Sequence, residues 1–271
     1  MTKLVLFSIT LYCLFGIIRS GYPTNEGNKT TNISAKMQSS RETYPDSYRD
    51  KFPDDKGFAV VELFTSEGCS SCPPADDILR GLAERENVMA LSFHVTYWNR
   101  LGWADPFSKA EFDERQYNYG THFQLNGVYT PQVVINGTAE MVGSQGNKIE
   151  KELAKTSAEA QDFKIELSKN IIDKKLIINY KFDKTVENKL LNLALVERNI
   201  TTKVLRGENG GRTLKHDNVV RLFKTVKIGS TREGDENIIL QDDFQLKDCA
   251  IIAYVQDAKT LKIVAASKLG L

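Results

Sequence analysis

The stretch Phe58-Ala59-Val60-Val61-Glu62-Leu63-Phe64, followed by Cys69-Ser70-Ser71-Cys72-Pro73-Pro74, is the part of the sequence that decides the predicted fold. Its first segment is almost continuously apolar, which is typical of a strand buried on both faces. Apolar residues at helical spacing predict a helix over 76–87, and a second apolar run at 88–95 suits a parallel strand. Together these segments predict a βαβ unit whose first strand-to-helix turn carries both cysteines.

The next region of the chain has the pattern of a hairpin followed by a helix. Apolar residues at 133–135 and 140–142 flank Asn136-Gly137, a strong two-residue turn signal. Ser144 is a candidate cap for a helix that ends near residue 156. Just before the hairpin, Tyr129-Thr130-Pro131-Gln132 forms a proline loop that leads into an apolar strand.

Residues 96–128 are predicted to be an inserted helical segment between the βαβ unit and the proline loop. Its aromatic residues form either a local core or an apolar groove beside Cys69 for a substrate. Arg115 either favours a thiolate through its charge or forms a surface ion pair. The aromatic residues of the insertion are Tyr97, Trp98, Trp103, Phe107, Phe112, Tyr117 and Tyr119.

The apolar period changes to two beyond residue 161. Several short runs alternate apolar and polar residues and are separated by polar turns. This pattern predicts seven strands in an antiparallel β-sandwich over 162–271. Within that region, Gly207–Gly211 is interpreted as a flexible turn, and Arg212 and His216 would face the cysteine pair if the sandwich packs against that end. Cys249 is interpreted as an inert buried thiol.

The N-terminus indicates export. Lys3 precedes an apolar run at 4–18, and Arg19-Ser20-Gly21 follows, which predicts a signal peptide over 1–20. The run is shorter than the ~20 residues of a membrane span. An uncleaved membrane anchor is the alternative to a cleaved signal peptide. Residues 21–56 are polar and are predicted to be a flexible linker. We therefore expect an exported protein, periplasmic or secreted, with no stable membrane span after cleavage.

Composition excludes some partners. The 271 residues carry a net charge of +1, with acidic and basic residues interspersed. Neither nucleic acid nor an acidic membrane surface is therefore expected as a partner. No cofactor is predicted.

The CxxC pair has three interpretations: a redox dithiol, half of a zinc site or a structural staple. Zinc would need two further ligands, and His94, His122 and His216 are scattered. In redox chemistry Cys69 would attack and Cys72 would resolve the mixed disulfide. Because prolines suit the first helical turn, Cys72 is the predicted cap, and the helix dipole would stabilise a Cys69 thiolate less.

Several blocks of this sequence resemble the DUF1223 family of thioredoxin-like proteins. The match covers about residues 58–265. Thr96 and Asn99 stand where that pattern often has aspartates, which argues against an acid role for them. The blocks are residues 62–76 (ELFTSEGCSSCPPAD), 93–95, 97–98, 101–103, 105–108, 115–116, 129–132 with 136–137, 207–214, 216 and 218–221.

The resemblance implies a fold. It is an α/β thioredoxin-like domain at 57–161 with a helical insertion, followed by an all-β, antiparallel sandwich domain. It also implies a cis Pro131 that directs the Thr130 backbone toward a bound peptide. Thioredoxin-like oxidoreductases often carry a buried acid near the position of Glu62. That acid would take a proton from the resolving thiol, unless Glu62 is solvated at the sheet edge.

The predicted function is an exported thiol–disulfide oxidoreductase acting on protein or small-molecule thiols. The predicted catalytic residues are Cys69, Cys72, Pro131, Thr130 and Glu62, and the predicted substrate-binding residues are Tyr129, Trp98, Trp103 and Gln132. Two alternatives stay open. One is a copper metallochaperone that binds Cu(I) through Cys69, Cys72 and His94. The other is a partner-binding module in which the disulfide is structural.

Overall fold

The apolar run at 58–64 forms a central strand, β1 (Ala59–Thr65), that is buried along its whole length. Helix α1 (Pro73–Ala83) follows, and β2 (Val88–His94) pairs with β1 in parallel. The predicted βαβ unit is therefore confirmed. Alternate residues of β1 contribute to apolar clusters on opposite faces of the sheet, which explains its continuous hydrophobicity. The computed structural model describes residues 57–156, 161–240 and 246–271.

The predicted hairpin is confirmed as β3 (Gln132–Ile135) and β4 (Ala139–Val142), with β3 antiparallel to β1. Asn136 and Gly137 both have positive φ, as the two-residue turn requires. A Cβ on Gly137 would lie 1.8 Å from the carbonyl oxygen of Leu261, so only glycine fits there. Helix α3 (Gly146–Thr156) follows.

The insertion between β2 and β3 contains a short 3₁₀ turn (Asn99–Leu101) and helix α2 (Ala110–His122). Phe112 and Tyr119 of α2 are buried and pack against Phe93 and Phe64 of the central strands. The local-core interpretation is confirmed for these two aromatic residues. The Tyr117 side chain points outward and is half exposed.

The described residues after 161 form strands and one 3₁₀ turn, Leu246–Asp248. The sheet of β5, β6 and β11 and the pair β8–β9 are separate from the main sheet. The strands are β5 (Ile165–Ile172), β6 (Lys175–Phe182), β7 (Lys189–Glu197), β8 (Ile200–Lys203), β9 (Thr213–His216), β10 (Val219–Lys227), β11 (Glu233–Ile239), β12 (Cys249–Asp257) and β13 (Ile263–Gly270).

The predicted fold class is wrong. Instead of a thioredoxin-like domain with a separate antiparallel sandwich, the chain forms a mostly β structure around one mixed sheet. Its eight strands run in the order β13-β12-β7-β10-β2-β1-β3-β4. Strand β10 joins the two halves, because Val219 pairs in parallel with Ser92 of β2 and Asn218 donates a hydrogen bond to the Ala90 carbonyl.

The physical reason for this difference is the open edge of β2. An unpaired strand edge leaves backbone donors and acceptors unsatisfied, and here β10 covers that edge. Alternating hydrophobicity shows which face of a strand is buried, but not which edge pairs with a distant strand. All described residues belong to one compact unit of the chain.

The predicted signal peptide (1–20) and linker (21–56) lie outside the described residues. Among the residues that the structure describes, no helix is long and apolar enough to cross a membrane.

Candidate functional site

The two cysteines of the CxxC motif form a disulfide at the start of α1, with their Cα atoms 5.5 Å apart. Cys72 is the N-cap residue and Pro73-Pro74 occupy the first turn, as predicted. The helix N-terminus therefore acts most directly on Cys72. Both cysteines are 0% exposed, whereas Ser70 and Ser71 between them face solvent. The Cys69 Sγ lies 3.3 Å from the Ser71 Oγ.

The predicted proline loop lies beside the cysteine loop. The Thr130–Pro131 peptide bond is cis, as expected. Trp98 connects the two loops, because its indole Nε1 donates to the Thr130 Oγ1 (2.8 Å) and its Cβ packs against Gly68. Pro131 itself approaches Gly143 together with Ala75 of α1. Trp98 and Ala75 thus link the cysteine loop and the start of α1 to Thr130 and Pro131.

The predicted substrate-binding residues divide into two pairs. Trp98 and Trp103 lie next to the cysteine loop and are only partly buried, and the Trp103 Nε1 donates to the Glu67 Oε2 (2.8 Å). Gln132 is fully buried instead, where it donates to Glu140 and accepts from Gln116. The Tyr129 hydroxyl also donates to Glu140. Tyr129 and Gln132 therefore stabilise the proline loop through hydrogen bonds within the protein.

Glu62 does not join the cysteines. It lies on the face of β1 that packs against α2, whereas the neighbouring Leu63 packs against α1. Arg115 donates to both carboxylate oxygens of Glu62 at 2.7 Å, and the Tyr119 hydroxyl adds a third hydrogen bond. Glu62 is therefore neither a free proton acceptor nor a solvated edge residue. Arg115, correspondingly, neutralises Glu62 within the protein.

A segment from the C-terminal half, Gly207–Arg212, packs directly on the cysteine loop. The buried Asn209 donates through its Nδ2 to the carbonyls of Glu67 and Cys69, both at 2.9 Å. Glu208 accepts a hydrogen bond from the Ser70 backbone (3.1 Å), and hydrogen bonds from Ser70 hold its pKa below the usual range. This segment was predicted only as a flexible turn, and its one signal in the sequence was the DUF1223 block at 207–214.

Asp105 and His94 form a buried pair beneath this loop. The His94 Nδ1 lies 2.7 Å from the Asp105 Oδ2, which also accepts from the Glu67 backbone. Burial raises the pKa of Asp105, but His94 and the hydrogen bonds from Glu67 and Phe107 outweigh burial and lower it. His94 is therefore a buried histidine that pairs with Asp105, and Asp105 in turn holds the Glu67 backbone of the cysteine loop.

His216 of β9 lies between two further buried acids. Its Nε2 is 3.3 Å from the Glu67 Oε1, and its Nδ1 is 3.8 Å from the Asp76 Oδ2. The rings of His216 and His94 meet edge to face, with centroids 4.9 Å apart. Burial raises the pKa of Asp76 to about 7, although the proximity of His216 opposes this rise. His216 was predicted as a residue that would face the cysteine pair, whereas Asp76 and Glu67 were not, and their one signal was the DUF1223 block at 62–76.

This cluster contains several buried polar atoms with no hydrogen-bond partner, and proteins rarely leave such atoms unsatisfied. They are the Glu67 Oε1, the Asp76 Oδ1, the His94 Nε2 and both His216 ring nitrogens. In the described part of the chain, no three His, Cys, Asp or Glu side chains converge as metal ligands, and this includes the set Cys69, Cys72 and His94.

Comparisons with known proteins identify a family. A model described as "Protein of unknown function (DUF1223)" matches residues 60–256. The crystal structure of protein AGR_C_4864 from Agrobacterium tumefaciens is 31% identical to this chain. The match covers 78% of this chain and 93% of that chain, with a TM-score of 0.61. No curated protein matches the chain.

Two weaker structural similarities were also found. A domain of the outer membrane lipoprotein Omp28 from Porphyromonas gingivalis is 14% identical over 40% of this chain and 94% of its own, with a TM-score of 0.26. A DUF3823 family protein from Bacteroides ovatus is 16% identical over 40% of this chain and 55% of its own, with a TM-score of 0.23. Neither similarity is strong enough to support an argument about this chain.

Proposed function

This chain belongs to the DUF1223 family, whose function is unknown, and we propose that it is a thiol–disulfide oxidoreductase acting on protein or small-molecule thiols. One observation carries the proposal: the Cys69–Cys72 disulfide closes at a helix N-terminus and lies beside the Thr130–Pro131 loop. A helix N-terminus lowers the pKa of a cysteine there and makes its thiolate a better leaving group.

In the proposed reaction the oxidised protein accepts two electrons from thiols. A substrate thiolate attacks the Cys69 Sγ, the bond to Cys72 breaks, and Cys72 leaves with the electron pair as a thiolate. A second thiolate then attacks the substrate sulfur of the mixed disulfide, and Cys69 leaves. The substrate departs as a disulfide and both cysteines take up protons. The reverse sequence reduces a substrate disulfide.

The contacts of the cysteine loop set a condition on this reaction. Because both cysteines are 0% exposed, a substrate reaches Cys69 only after the loop moves. Asn209 and Glu208 hold that loop through hydrogen bonds to its backbone. Trp98 and Trp103 flank the same loop and offer an apolar surface for a substrate.

The burial of both cysteines also favours a second candidate function, that of a partner-binding protein with a structural disulfide. A structural disulfide in a secreted protein has a reduction potential below about −300 mV, whereas catalytic pairs lie between about −120 and −270 mV. The potential of the Cys69–Cys72 pair therefore discriminates between the two functions.

The test is equilibration of the protein with glutathione buffers, followed by thiol trapping and mass measurement. We expect a potential in the catalytic range and a stable mixed disulfide in Cys72→Ser, with none in Cys69→Ser. Cys249→Ser is the matched control, since that thiol is buried and burial raises its pKa to about 12. A potential below about −300 mV with no mixed disulfide would favour the structural alternative.

We further propose that the chain is exported to the periplasm or secreted. The support is the charged and apolar N-terminal pattern at 1–20, together with a disulfide that persists in oxidising compartments. Mass measurement of the mature protein after expression in its host tests this proposal, with cleavage near residue 20 as the expected result. A cytoplasmic protein retaining residues 1–20 would contradict it.

A further inference from the structure

Asp76 lies one helical turn beyond Cys72 in α1. The two residues are four apart, Cys72 has helical dihedrals (φ −78°, ψ −37°), and the Asp76 backbone donates to the Cys72 carbonyl at 3.2 Å. Side chains four residues apart share one face of a helix and are neighbours. Both side chains are buried, with Asp76 only 5% exposed. The helix therefore places a carboxyl group one turn from the buried thiol that disulfide reduction creates, on the same helix face.

The surroundings of Asp76 compensate its charge only in part, because His216 and the Thr65 side chain lower its pKa less than burial raises it. Its Oδ1 has no hydrogen-bond partner, and both ring nitrogens of the adjacent His216 are also without one. Glu62, by contrast, receives two hydrogen bonds from Arg115. A buried carboxyl group whose charge is only partly compensated favours its protonated form and can exchange a proton with a neighbouring group.

Asp76 also has a route to solvent. It lines a cleft of about 180 Å³ between α1 and β9. The Cys72 side chain has no such route, because it is 0% exposed. Asp76 thus lies between a buried sulfur and the surface. Around the cleft are Pro73, Asp77, Arg80, Arg212, Thr213, Leu214 and Lys215.

We propose that Asp76 takes the proton of the Cys72 thiol during disulfide exchange and that His216 is its positioning residue. This inference rests on the proposed oxidoreductase function. In the mixed disulfide between Cys69 and a substrate, the Cys72 thiol gives its proton to the Asp76 carboxylate. The Cys72 thiolate attacks the Cys69 Sγ and the bond to the substrate sulfur breaks. The substrate leaves as a thiolate, and Asp76 returns the proton to it or to solvent through the cleft.

The charges around Asp76 suit this role. Burial raises its pKa to about 7, so near neutral pH it is present in both protonation states. A proton acceptor works best when its pKa lies near the working pH. The charged and titratable groups that face Asp76 are His216 from β9, Asp105 from the insertion and Asp77 from α1, with Glu67 beyond His216 and with Arg80, Arg212 and Lys215 at the cleft.

The test uses Asp76→Asn, with Asp77→Asn as the matched control. Asp77 is the next residue of the same helix, is exposed and forms an ion pair with Arg80. The reduced protein is mixed with glutathione disulfide, so that Cys69 forms a mixed disulfide and one glutathione leaves as a thiol, and the rate at which Cys72 resolves that mixed disulfide is followed from pH 5.5 to 9. We expect the wild-type rate to rise with a midpoint near pH 7, and the Asp77→Asn rate to rise in the same way with a slightly lower midpoint, because the Asp77 charge is one of the smaller causes that raise the pKa of Asp76. We expect the rate of resolution in Asp76→Asn to show no rise near pH 7. At pH 7 that rate should be about 10- to 100-fold lower than the wild-type rate.

Each outcome has one meaning. If Asp76→Asn follows the wild-type pH profile, the proton-transfer inference is overturned and the proposed function stands. If the wild-type protein forms no mixed disulfide, both are overturned. His216→Gln tests the same point without changing Asp76, because removing the imidazole that lowers the pKa of Asp76 moves the midpoint upward. An unchanged midpoint in a folded His216→Gln protein also overturns the inference.

Discussion

Glu62 and Asp76 are buried acids on two elements of the same βαβ unit, and their surroundings are opposite. Glu62 receives two hydrogen bonds at 2.7 Å from Arg115 and one from Tyr119. Asp76 has one histidine at 3.8 Å and an oxygen with no partner. A buried charge with matched partners is stable but chemically inert, whereas an unmatched one weakens the fold and stays free to exchange a proton.

This comparison also separates two regions of the molecule. The α2 side of the sheet is a closed network in which aromatic rings surround Arg115, including Phe223 with its ring centroid at 4.7 Å. The side near α1 and β9 holds the disulfide and the unpartnered polar atoms. We therefore expect the first region to contribute mainly to the stability of the fold. The proposed thiol–disulfide exchange belongs to the second region.

Breaking the Glu62–Arg115 pair has the largest expected effect. Arg115→Met leaves the Glu62 carboxylate buried and unpaired, and we expect the free energy of unfolding to fall by about 4 kcal/mol. Urea unfolding at pH 7 measures it. The control is Arg85→Met, which breaks an exposed pair with Glu150 and should cost less than about 1 kcal/mol. Equal losses in the two variants would contradict the structural role of Glu62.

Removing the Asp76 charge should raise the free energy of unfolding, whereas breaking the Glu62–Arg115 pair lowers it. Folded Asp76 keeps its proton up to about pH 7, whereas an unfolded aspartate releases it near 3.8, so this group makes the native state less stable as pH rises between these values. We expect Asp76→Asn to be more stable than the wild type by about 4 kcal/mol above pH 7 and equal to it below pH 4.

Urea unfolding at several pH values measures this difference, with Asp77→Asn as the control that should keep most of the wild-type loss of stability between pH 4 and 7, because Asp77 is only a minor cause of the raised pKa of Asp76. A wild-type protein that gains stability relative to Asp76→Asn between pH 4 and 7 would contradict the assignment.

Loosening the cysteine loop should have a smaller effect on stability and a clear effect on reactivity. Asn209→Ala removes both hydrogen bonds to the Glu67 and Cys69 carbonyls and should cost about 2 kcal/mol. Because the loop then opens more often, we expect dithiothreitol to reduce the disulfide about 10-fold faster. Quenched thiol labelling measures the rate, and Asn118→Ala on the exposed face of α2 is the control. An unchanged rate would mean that Asn209 does not restrict access.

The smallest effect is expected from Tyr119→Phe, which sharpens the description of the Glu62 network. It removes the hydroxyl that donates to Glu62 while Arg115 stays in place, and we expect a loss of about 1 kcal/mol. Thermal unfolding measures it, and Tyr117→Phe, a half-exposed residue of the same helix, should be neutral. A loss as large as that of Arg115→Met would show that Tyr119, and not Arg115, neutralises Glu62.

Local patterns in the sequence were sufficient to predict the parts of the fold whose contacts are close in the chain. The apolar run at 58–64, the cap position of Cys72 and the Asn136-Gly137 hairpin were all predicted correctly. Within the candidate site, the cysteine pair follows from its local spacing, whereas Thr130 and Pro131 were assigned to the site from the family resemblance. The predicted role of Glu62 as a proton acceptor required its side chain to lie on the same face of β1 as the cysteines. A continuously apolar strand does not show which residues face which side of the sheet, so the sequence could not test this requirement.

The sequence by itself determined the βαβ unit, the hairpin and the cysteine pair, because each follows from residue types a few positions apart. Only the tertiary structure decided that β10 pairs with β2, that Asn209 holds the cysteine loop, and that His216 meets Asp76. These contacts join residues more than a hundred positions apart. They are set by unpaired strand edges and by buried polar groups that need partners. The hydrophobic periodicity of a segment indicates neither requirement.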